Sequence, residues 1–347
     1  MKAGRTSMIK RPTRRALLTF VLLLSLITLG PAVRAQDEPP PPMPPVTKEG
    51  ADDIETIRVE SDLVNLNVSV FSRALQLVPG NLQQQDFTVL ENGVPEEIAF
   101  FAAASTPFDL VLLLDLSGSI SDKLKLVKKS AIRFVEAARP SDRIGILTFT
   151  DVPSVVSPLT GDRAQLVERI KRIEKPMGGT NFWDALGHVL KLGQPRAAEG
   201  LRRRAVIVMT DGVDNALPDV AGPGSQTTFE ELLDLVRDSD AVVLPIYLDT
   251  EREEAVRRHR VPQSVYPIAR SQLAQLAAES GSILYQARAL EDLNGVYEQV
   301  IRDLGTVYSI GYRPTNRRRD GAWRVVSVRL VNHPSFAART RRGYFAR

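Results

Sequence analysis

The sequence predicts an α/β protein with a doubly wound, mostly parallel sheet and a small β-sandwich-like module built from the amino- and carboxyl-terminal flanks. Two observations predict the sheet. Five short runs are apolar on both faces, which is typical of parallel strands covered by helices on each side. Helix-like segments alternate with them, as right-handed crossovers require. The five runs read FDLVLLL, RIGILTF, AVIVMT, AVVLPIYL and SILYQA.

The segments between these runs carry apolar residues at the spacing of one buried helical stripe. In 123–138 the stripe consists of Leu124, Val127, Ala131, Phe134 and Val135. The same pattern predicts helices over 163–173, 182–192, 229–237, 270–279 and 290–304. Together, strands and helices place the α/β domain at 105–304.

Both flanks of this domain alternate apolar and polar residues, which indicates β-strands. Residues 54–104 are predicted to form a small β module, and Asn92-Gly93 between two alternating runs indicates a hairpin. Residues 305–347 alternate again, so we expect them to add strands to the same module.

The amino terminus has the pattern of an export signal. A basic stretch, KRPTRR, precedes an apolar run and the small-residue exit AVRA, which predicts a signal peptide over 1–35. An uncleaved membrane anchor and twin-arginine export are alternatives. Residues 36–53 are proline-rich and predict a disordered linker. The protein is therefore expected outside the cytoplasm: periplasmic, extracellular or associated with the cell envelope.

Charge and cysteine content exclude several functions. Residues 1–35 hold seven Lys or Arg and no acid, so the rest of the chain has 38 basic and 41 acidic residues. A mildly acidic mature protein gives no basis for a general attraction to nucleic acid. The chain has no cysteine, which excludes disulfides and thiol catalysis.

Three loops at the carboxyl ends of predicted strands carry oxygen ligands. The first is DLSGS at 115–119, the second is GGTN at 178–181, and the third is TDG at 210–212. Ligands of such sheets bind at this edge. Carboxylates and hydroxyls are hard donors that suit Mg²⁺, with Mn²⁺ or Ca²⁺ as alternatives. The candidate metal ligands are Asp115, Ser117, Ser119, Thr180 and Asp211.

These three motifs, in this order and on these strands, resemble the metal-ion-dependent adhesion site of the von Willebrand factor A domain. The flanks resemble pieces of bacterial exported proteins related to that domain. The resemblance implies a Rossmann-like fold, in which Ser117, Ser119 and Thr180 supply hydroxyl oxygens to the ion. Asp115 and Asp211 would act directly or through water. It also implies a protein partner that offers an Asp or Glu side chain to the ion.

The expected function is metal-dependent protein binding in adhesion or assembly, without enzymatic activity. A metal-assisted hydrolase is an alternative, but no general base or nucleophile is recognisable near the three loops beyond the metal ligands. The other alternative is a structural scaffold of the envelope with a non-functional metal site.

The carboxyl-terminal segment from Arg313 is rich in arginine, with RRR at 317–319 and RTRR at 339–342. A solvated sheet edge protected by charge is the simpler interpretation. Binding to an anionic polymer or to lipid headgroups is the alternative.

Overall fold

The computed structural model describes residues 63–72, 81–118, 124–174, 178–192, 202–250, 261–289 and 292–347. The predicted signal peptide and linker lie outside these residues, as does Ser119 of the candidate site. The predicted fold class is confirmed, since a mostly parallel sheet lies between helices beside two smaller antiparallel sheets.

The central sheet has six strands in the order β10-β9-β8-β5-β6-β7. All neighbours pair in parallel except β6 and β7. The strands are β5 (Phe108–Asp115), β6 (Arg143–Phe149), β7 (Pro153–Thr160), β8 (Arg203–Thr210), β9 (Val242–Leu248) and β10 (Tyr285–Ala287).

Strand β7 is the element that the sequence pattern does not predict. It contains Pro153 and Pro158, and its exposed side chains give no apolar run. It pairs with β6 alone, at the edge of the sheet. An edge strand tolerates proline because one side of its backbone has no ladder partner.

The six helices are α1 (Leu124–Ala137), α2 (Arg163–Lys171), α3 (Phe182–Leu192), α4 (Phe229–Asp238), α5 (Val265–Glu279) and α6 (Leu293–Leu304) in the described residues. Five lie where the apolar stripes predict them, within a few residues. Helix α5 begins at Val265 rather than at residue 270, because Tyr266 and Ala269 are buried as well. Pro267 lies in the first turn, where a missing amide donor costs little.

The central strand β5 is buried on both faces of the sheet. Leu110, Leu112 and Leu114 join a core with α1, α2 and α6. Leu113 points the other way, into a core with α3, α4 and α5. Successive side chains of a strand point to opposite faces, so a continuous apolar run is what two helical layers require.

The two flanks of the chain form a β-sandwich. One sheet has the order β13-β1-β11-β4 and the other β14-β12-β2-β3. The strands are β1 (Val64–Ser72), β2 (Phe87–Glu91), β3 (Val94–Glu96), β4 (Ile98–Ala102), β11 (Val307–Tyr312), β12 (Trp323–Leu330), β13 (Phe336–Arg339) and β14 (Gly343–Phe345). The predicted hairpin is confirmed: Asn92 and Gly93 have φ of 49° and 84° between β2 and β3.

A buried ion pair joins β2 and β12, two neighbouring strands of one sandwich sheet. Arg324 and Glu91 are 1% and 2% exposed, and their side chains meet at 3.2 Å. The hydroxyls of Tyr312 and Tyr344 donate to the second Glu91 oxygen at 2.7 and 2.8 Å. Every carboxylate oxygen is therefore paired, which offsets the cost of burying the charge.

Arg203 joins the sandwich to the central sheet. This buried side chain at the start of β8 donates to the carbonyl oxygens of Ala104, Thr106 and Val307. Its guanidinium carbon lies 3.9 Å from the centroid of the Phe108 ring. Burial, with a smaller contribution from Arg139, lowers the pKa of Arg203 to about 9.

Replacing Arg324 with methionine should lower the free energy of unfolding by about 3 kcal/mol, because Glu91 would stay buried without its cation. Chemical denaturation followed by circular dichroism measures this. Arg329→Met is the matched control on the exposed face of the same strand, with an expected change below about 0.5 kcal/mol. Equal losses in both variants would contradict the role given to the ion pair.

Candidate functional site

The candidate site begins where β5 and β8 end side by side. The strands pair in parallel with Leu114 opposite Met209, so the next residues, Asp115 and Thr210, reach the same edge. The Thr210 hydroxyl donates to Asp115 Oδ2 at 2.6 Å. The backbone amide of Ser117 donates to Asp115 Oδ1 at 2.8 Å. Asp115 is completely buried, and both of its oxygens are held in place.

Ser117 presents an unsatisfied oxygen at this edge. The residue is 2% exposed, and its Oγ makes no hydrogen bond of standard geometry within the described part of the chain, although it lies near enough to the Asp115 carboxylate to favour the charged form of that acid. A buried hydroxyl without a partner costs about 1–3 kcal/mol, so such an atom needs an explanation. A ligand that accepts a lone pair from Ser117 Oγ would offset this cost.

Asp211 is the second acid of the site. It is 3% exposed, and its Oδ1 accepts from the amide of Val213 at 3.1 Å. The Thr250 hydroxyl donates to Asp211 Oδ2 at 2.9 Å. Burial and the nearby charge of Asp211 raise the pKa of Asp115 to about 7. The two carboxylates are therefore close enough to repel each other.

Thr180 lies in a loop that hydrogen bonds tie to both neighbouring loops. Its carbonyl oxygen accepts from the amide of Asn215 at 2.8 Å, in the loop after β8. The amide of Asn181 donates to the carbonyl oxygen of Thr150 at 2.9 Å, just beyond β6. The first loop joins the same edge, since the amide of Leu116 donates to the carbonyl oxygen of Phe149 at 3.0 Å.

The two glycines before Thr180 have a packing reason. A Cβ built on Gly178 would lie 2.6 Å from Asp151 Oδ2, and one on Gly179 would collide with the side chain of Asn215. The amide of Gly179 donates to Asp151 Oδ1 at 2.6 Å. Only glycine lets the backbone approach its neighbours this closely.

The structure thus brings Asp115, Ser117, Thr180 and Asp211 to one edge of the sheet. Their convergence as ligands of one ion stays a prediction. Ser119, the fifth predicted residue, lies outside the described residues.

Two acids that the sequence analysis did not single out hold these loops together. Asp214 is completely buried and accepts from the amide of Trp183 at 2.9 Å, at the start of α3. It also accepts from the amide of Ala216 at 2.8 Å and from the hydroxyl of Ser225 at 2.6 Å. Asp151 holds Gly179. The sequence could have indicated both acids by their position, because each one follows the carboxyl end of a sheet strand.

The donor set is consistent with a hard divalent cation. In the described part of the chain, no group of three or more His, Cys, Asp or Glu side chains lies together as a metal site. The candidate site differs from such a group, since it offers two carboxylates with at least two hydroxyls. An unpartnered hydroxyl beside two mutually repelling carboxylates fits a small cation.

Comparison with known proteins identifies the class. Residues 110–213 match the family described as the von Willebrand factor type A domain. Over these residues the chain is similar to this domain type, and the resemblance in the sequence motifs is confirmed. Domains of this class are mainly adhesion and interaction modules.

One curated relative is 32% identical over 114 residues and is described only as an uncharacterized protein of Borreliella burgdorferi (strain ATCC 35210 / DSM 4680 / CIP 102532 / B31). The match covers 31% of this chain and 33% of the relative. The chain thus matches about a third of that protein's length.

Three solved structures are similar to part of this chain. BatB from Bacteroides thetaiotaomicron is 16% identical with a TM-score of 0.43, over 57% of this chain and 98% of its own. The vWF domain of the type V pili tip protein Mfa5 from Porphyromonas gingivalis is 14% identical with a TM-score of 0.43, over 57% and 94%. Proximal thread matrix protein 1 from the mussel byssus, with a zinc-occupied MIDAS motif, is 18% identical with a TM-score of 0.45, over 62% and 49%. Similarities this low carry no functional argument.

None of the helices in the described residues has the length and hydrophobicity to cross a bilayer.

Replacing Asp214 with alanine should lower the free energy of unfolding by about 3 kcal/mol, since buried donors on two loops would lose a charged acceptor. Thermal and chemical denaturation measure the loss. Glu230→Ala, an exposed acid in the first turn of α4, is the control and should change stability by less than about 0.5 kcal/mol. An Asp214 variant as stable as the control would show that the loops do not depend on this carboxylate.

Proposed function

We propose that the chain is an exported, metal-dependent protein-binding module that captures a carboxylate of its partner through a divalent cation. The observation that carries the proposal is the buried, unpartnered hydroxyl of Ser117 beside the carboxylate of Asp115. No hydrogen bond of standard geometry within the described residues engages this oxygen, although it lies near the Asp115 carboxylate. A cation at the same edge of the sheet would engage it.

The residues divide into two roles in this proposal. Ser117, Ser119 and Thr180 would offer neutral hydroxyl oxygens to the ion. Asp115 and Asp211 would bind directly or orient hydroxyls and water as acceptors, and outer carboxylates of this kind tune metal sites. Thr210 keeps Asp115 in one orientation through its 2.6 Å hydrogen bond.

The proposed ion is Mg²⁺, because all the candidate donors are hard oxygens; Mn²⁺ and Ca²⁺ use the same donor type. A cation held mainly by neutral oxygens keeps much of its positive charge, and it attracts a carboxylate from a partner.

The surroundings of the edge suit contact with a protein. The turn between β6 and β7 carries Asp151, which holds the Thr180 loop through Gly179. In that turn Val152 is 69% exposed, and Val155 on β7 is 57% exposed. Apolar side chains beside a carboxylate-binding ion would add contact area around a partner's Asp or Glu.

The proposal includes the organisation of the chain: a signal peptide at 1–35, a linker at 36–53, a β module at 54–104, the type A domain at 105–304, and carboxyl-terminal strands at 305–347. Export through the signal peptide would place the metal edge outside the cytoplasm, where partner proteins of the envelope or surroundings are accessible.

Ser117→Ala should weaken Mg²⁺ binding by at least about tenfold, the effect expected of a lost metal-site group. Without metal the variant should be more stable than wild type by about 1 kcal/mol, because the substitution removes a buried hydroxyl that makes no hydrogen bond of standard geometry among the described residues. Isothermal titration with Mg²⁺ and denaturation in chelator measure the two quantities.

Ser154→Ala is the matched control, since this serine is exposed on the adjacent edge strand β7. It should leave both Mg²⁺ affinity and stability unchanged. If wild-type protein binds no divalent cation, or if Ser117→Ala binds it as tightly as wild type, the metal site is refuted.

Capture of a partner should require both the cation and the partner's carboxylates. Immobilised protein is incubated with an extracellular extract in Mg²⁺ or in chelator, and recovered proteins are quantified. Recovery should fall to background in chelator, with Ser117→Ala, and after carbodiimide amidation of the extract's carboxylates. Recovery that survives all three treatments would contradict the proposal, whereas Ser154→Ala should behave as wild type.

A further inference from the structure

A second candidate site lies far from the metal edge in the topology of the sheet. A cleft of about 590 Å³ lies between the connection from α4 to β9 and the β-sandwich. The end of α4 and the connection that follows it, residues 237–240, precede β9, so they lie where a sheet strand begins rather than where it ends. The proposed metal ligands lie at the opposite ends of the strands.

Arginine is the most frequent residue type in the lining of the cleft. Its lining includes Arg237, Arg317, Arg318, Arg319, Arg341 and Arg347, against two acids, Asp238 and Asp240.

Ion pairs within the protein account for only part of this charge. Arg237 pairs with Glu279 and Asp234, and Arg347 pairs with Asp234 and Asp238. Asp240 is engaged by Arg204 at 3.1 Å.

In the part of the chain that the structure describes, the side chains of Arg317 and Arg318 are exposed and make no ion pair. The cleft therefore has positive charge that the protein itself does not neutralise. These arginines line one concave surface.

Buried contacts position the arginines of the cleft. Arg324, anchored by Glu91, donates to the carbonyl oxygens of Asn316 and Arg318 at 2.7 and 2.5 Å. The turn that carries Arg317 and Arg318 is therefore held by a buried side chain. Few conformations have to be given up when a ligand binds to such a turn.

Arg341 lies in the wall of the cleft and is only partly engaged. Its Nη1 donates to the carbonyl oxygen of Arg237 at 2.8 Å, which joins the sandwich to the end of α4. Its Nε is buried and has no hydrogen-bond partner among the described residues. Because burial keeps this Nε away from the open cleft, Arg341 contributes to the wall of the cleft and to its positive charge.

We propose that this arginine cleft binds a ligand that carries phosphoryl groups. Its volume exceeds that of a single phosphate and accommodates two or more linked phosphoryl groups or a phosphorylated headgroup. Several guanidinium groups around one concave surface favour a multiply charged anion over a single carboxylate. The site is independent of the metal edge, so neither site requires the other.

Isothermal titration of the full chain with inorganic pyrophosphate, in metal-free buffer at low and physiological salt, tests the proposal. Wild type should bind, with weaker affinity at higher salt. Arg317→Gln combined with Arg318→Gln should reduce affinity by at least about tenfold, because two unpaired cations are removed. Arg133→Gln combined with Arg329→Gln removes the same charge at exposed positions outside the cleft and should bind as wild type.

Vesicles distinguish a lipid headgroup from a soluble phosphate. Sedimentation with phosphatidylcholine vesicles, with and without phosphatidylglycerol, is repeated with excess pyrophosphate. Anionic vesicles that retain the protein until pyrophosphate releases it support a headgroup in the cleft. Titration by pyrophosphate without retention on vesicles supports a soluble phosphorylated ligand.

Three results would overturn the proposal: wild type binding neither probe, the cleft variant binding as wild type, or both double variants losing affinity equally. Tighter binding of heptaglutamate than of pyrophosphate would show that an acidic peptide is the ligand instead. Ser117→Ala should bind pyrophosphate as wild type, which separates this test from the test of the metal site.

Discussion

The candidate metal edge depends on one hydrogen bond, from the Thr210 hydroxyl to the buried carboxylate of Asp115 at 2.6 Å. It exists because β5 and β8 are adjacent parallel strands that end at the same level. With the amide of Ser117 on the other oxygen, it keeps both Asp115 oxygens occupied. The Ser117 hydroxyl lies beside this carboxylate without a hydrogen bond of standard geometry to the described residues. In the proposed site, this oxygen and the fixed carboxylate would face an external ligand.

The loops around this edge are held by buried acids rather than by regular secondary structure. Asp214 accepts hydrogen bonds from the start of α3 and from its own loop, and Asp151 holds Gly179. Gly178 and Gly179 permit the backbone approach that these bonds need. The loops therefore have defined positions before any ligand arrives, which lowers the entropy cost of binding.

The β-sandwich gives the chain a second functional surface. Strands from both flanks complete each other, with β1 beside β11 and β2 beside β12. Buried Arg203 connects the sandwich to the start of β8, and buried Arg324 holds the arginine turn. Each arginine is buried because backbone carbonyl oxygens or a carboxylate accept its donors. Arginine thus has two roles in this chain. Buried Arg203 and Arg324 stabilise the structure, and the unpaired Arg317 and Arg318 provide positive charge in the cleft.

The sequence by itself determined the α/β class, the core helices, the Asn92-Gly93 hairpin and the candidate residues at the edge, because apolar periodicity and turn chemistry are local signals. It did not reveal β7, whose exposed, proline-containing segment is a strand only because β6 offers a pairing edge. It also did not reveal the roles of Asp151 and Asp214, or the convergence of arginines from Arg237, the turn at 317–319 and Arg341. These groups are far apart in the chain, and only the packing of the sandwich against the α/β domain decides which charges meet and which remain unpaired.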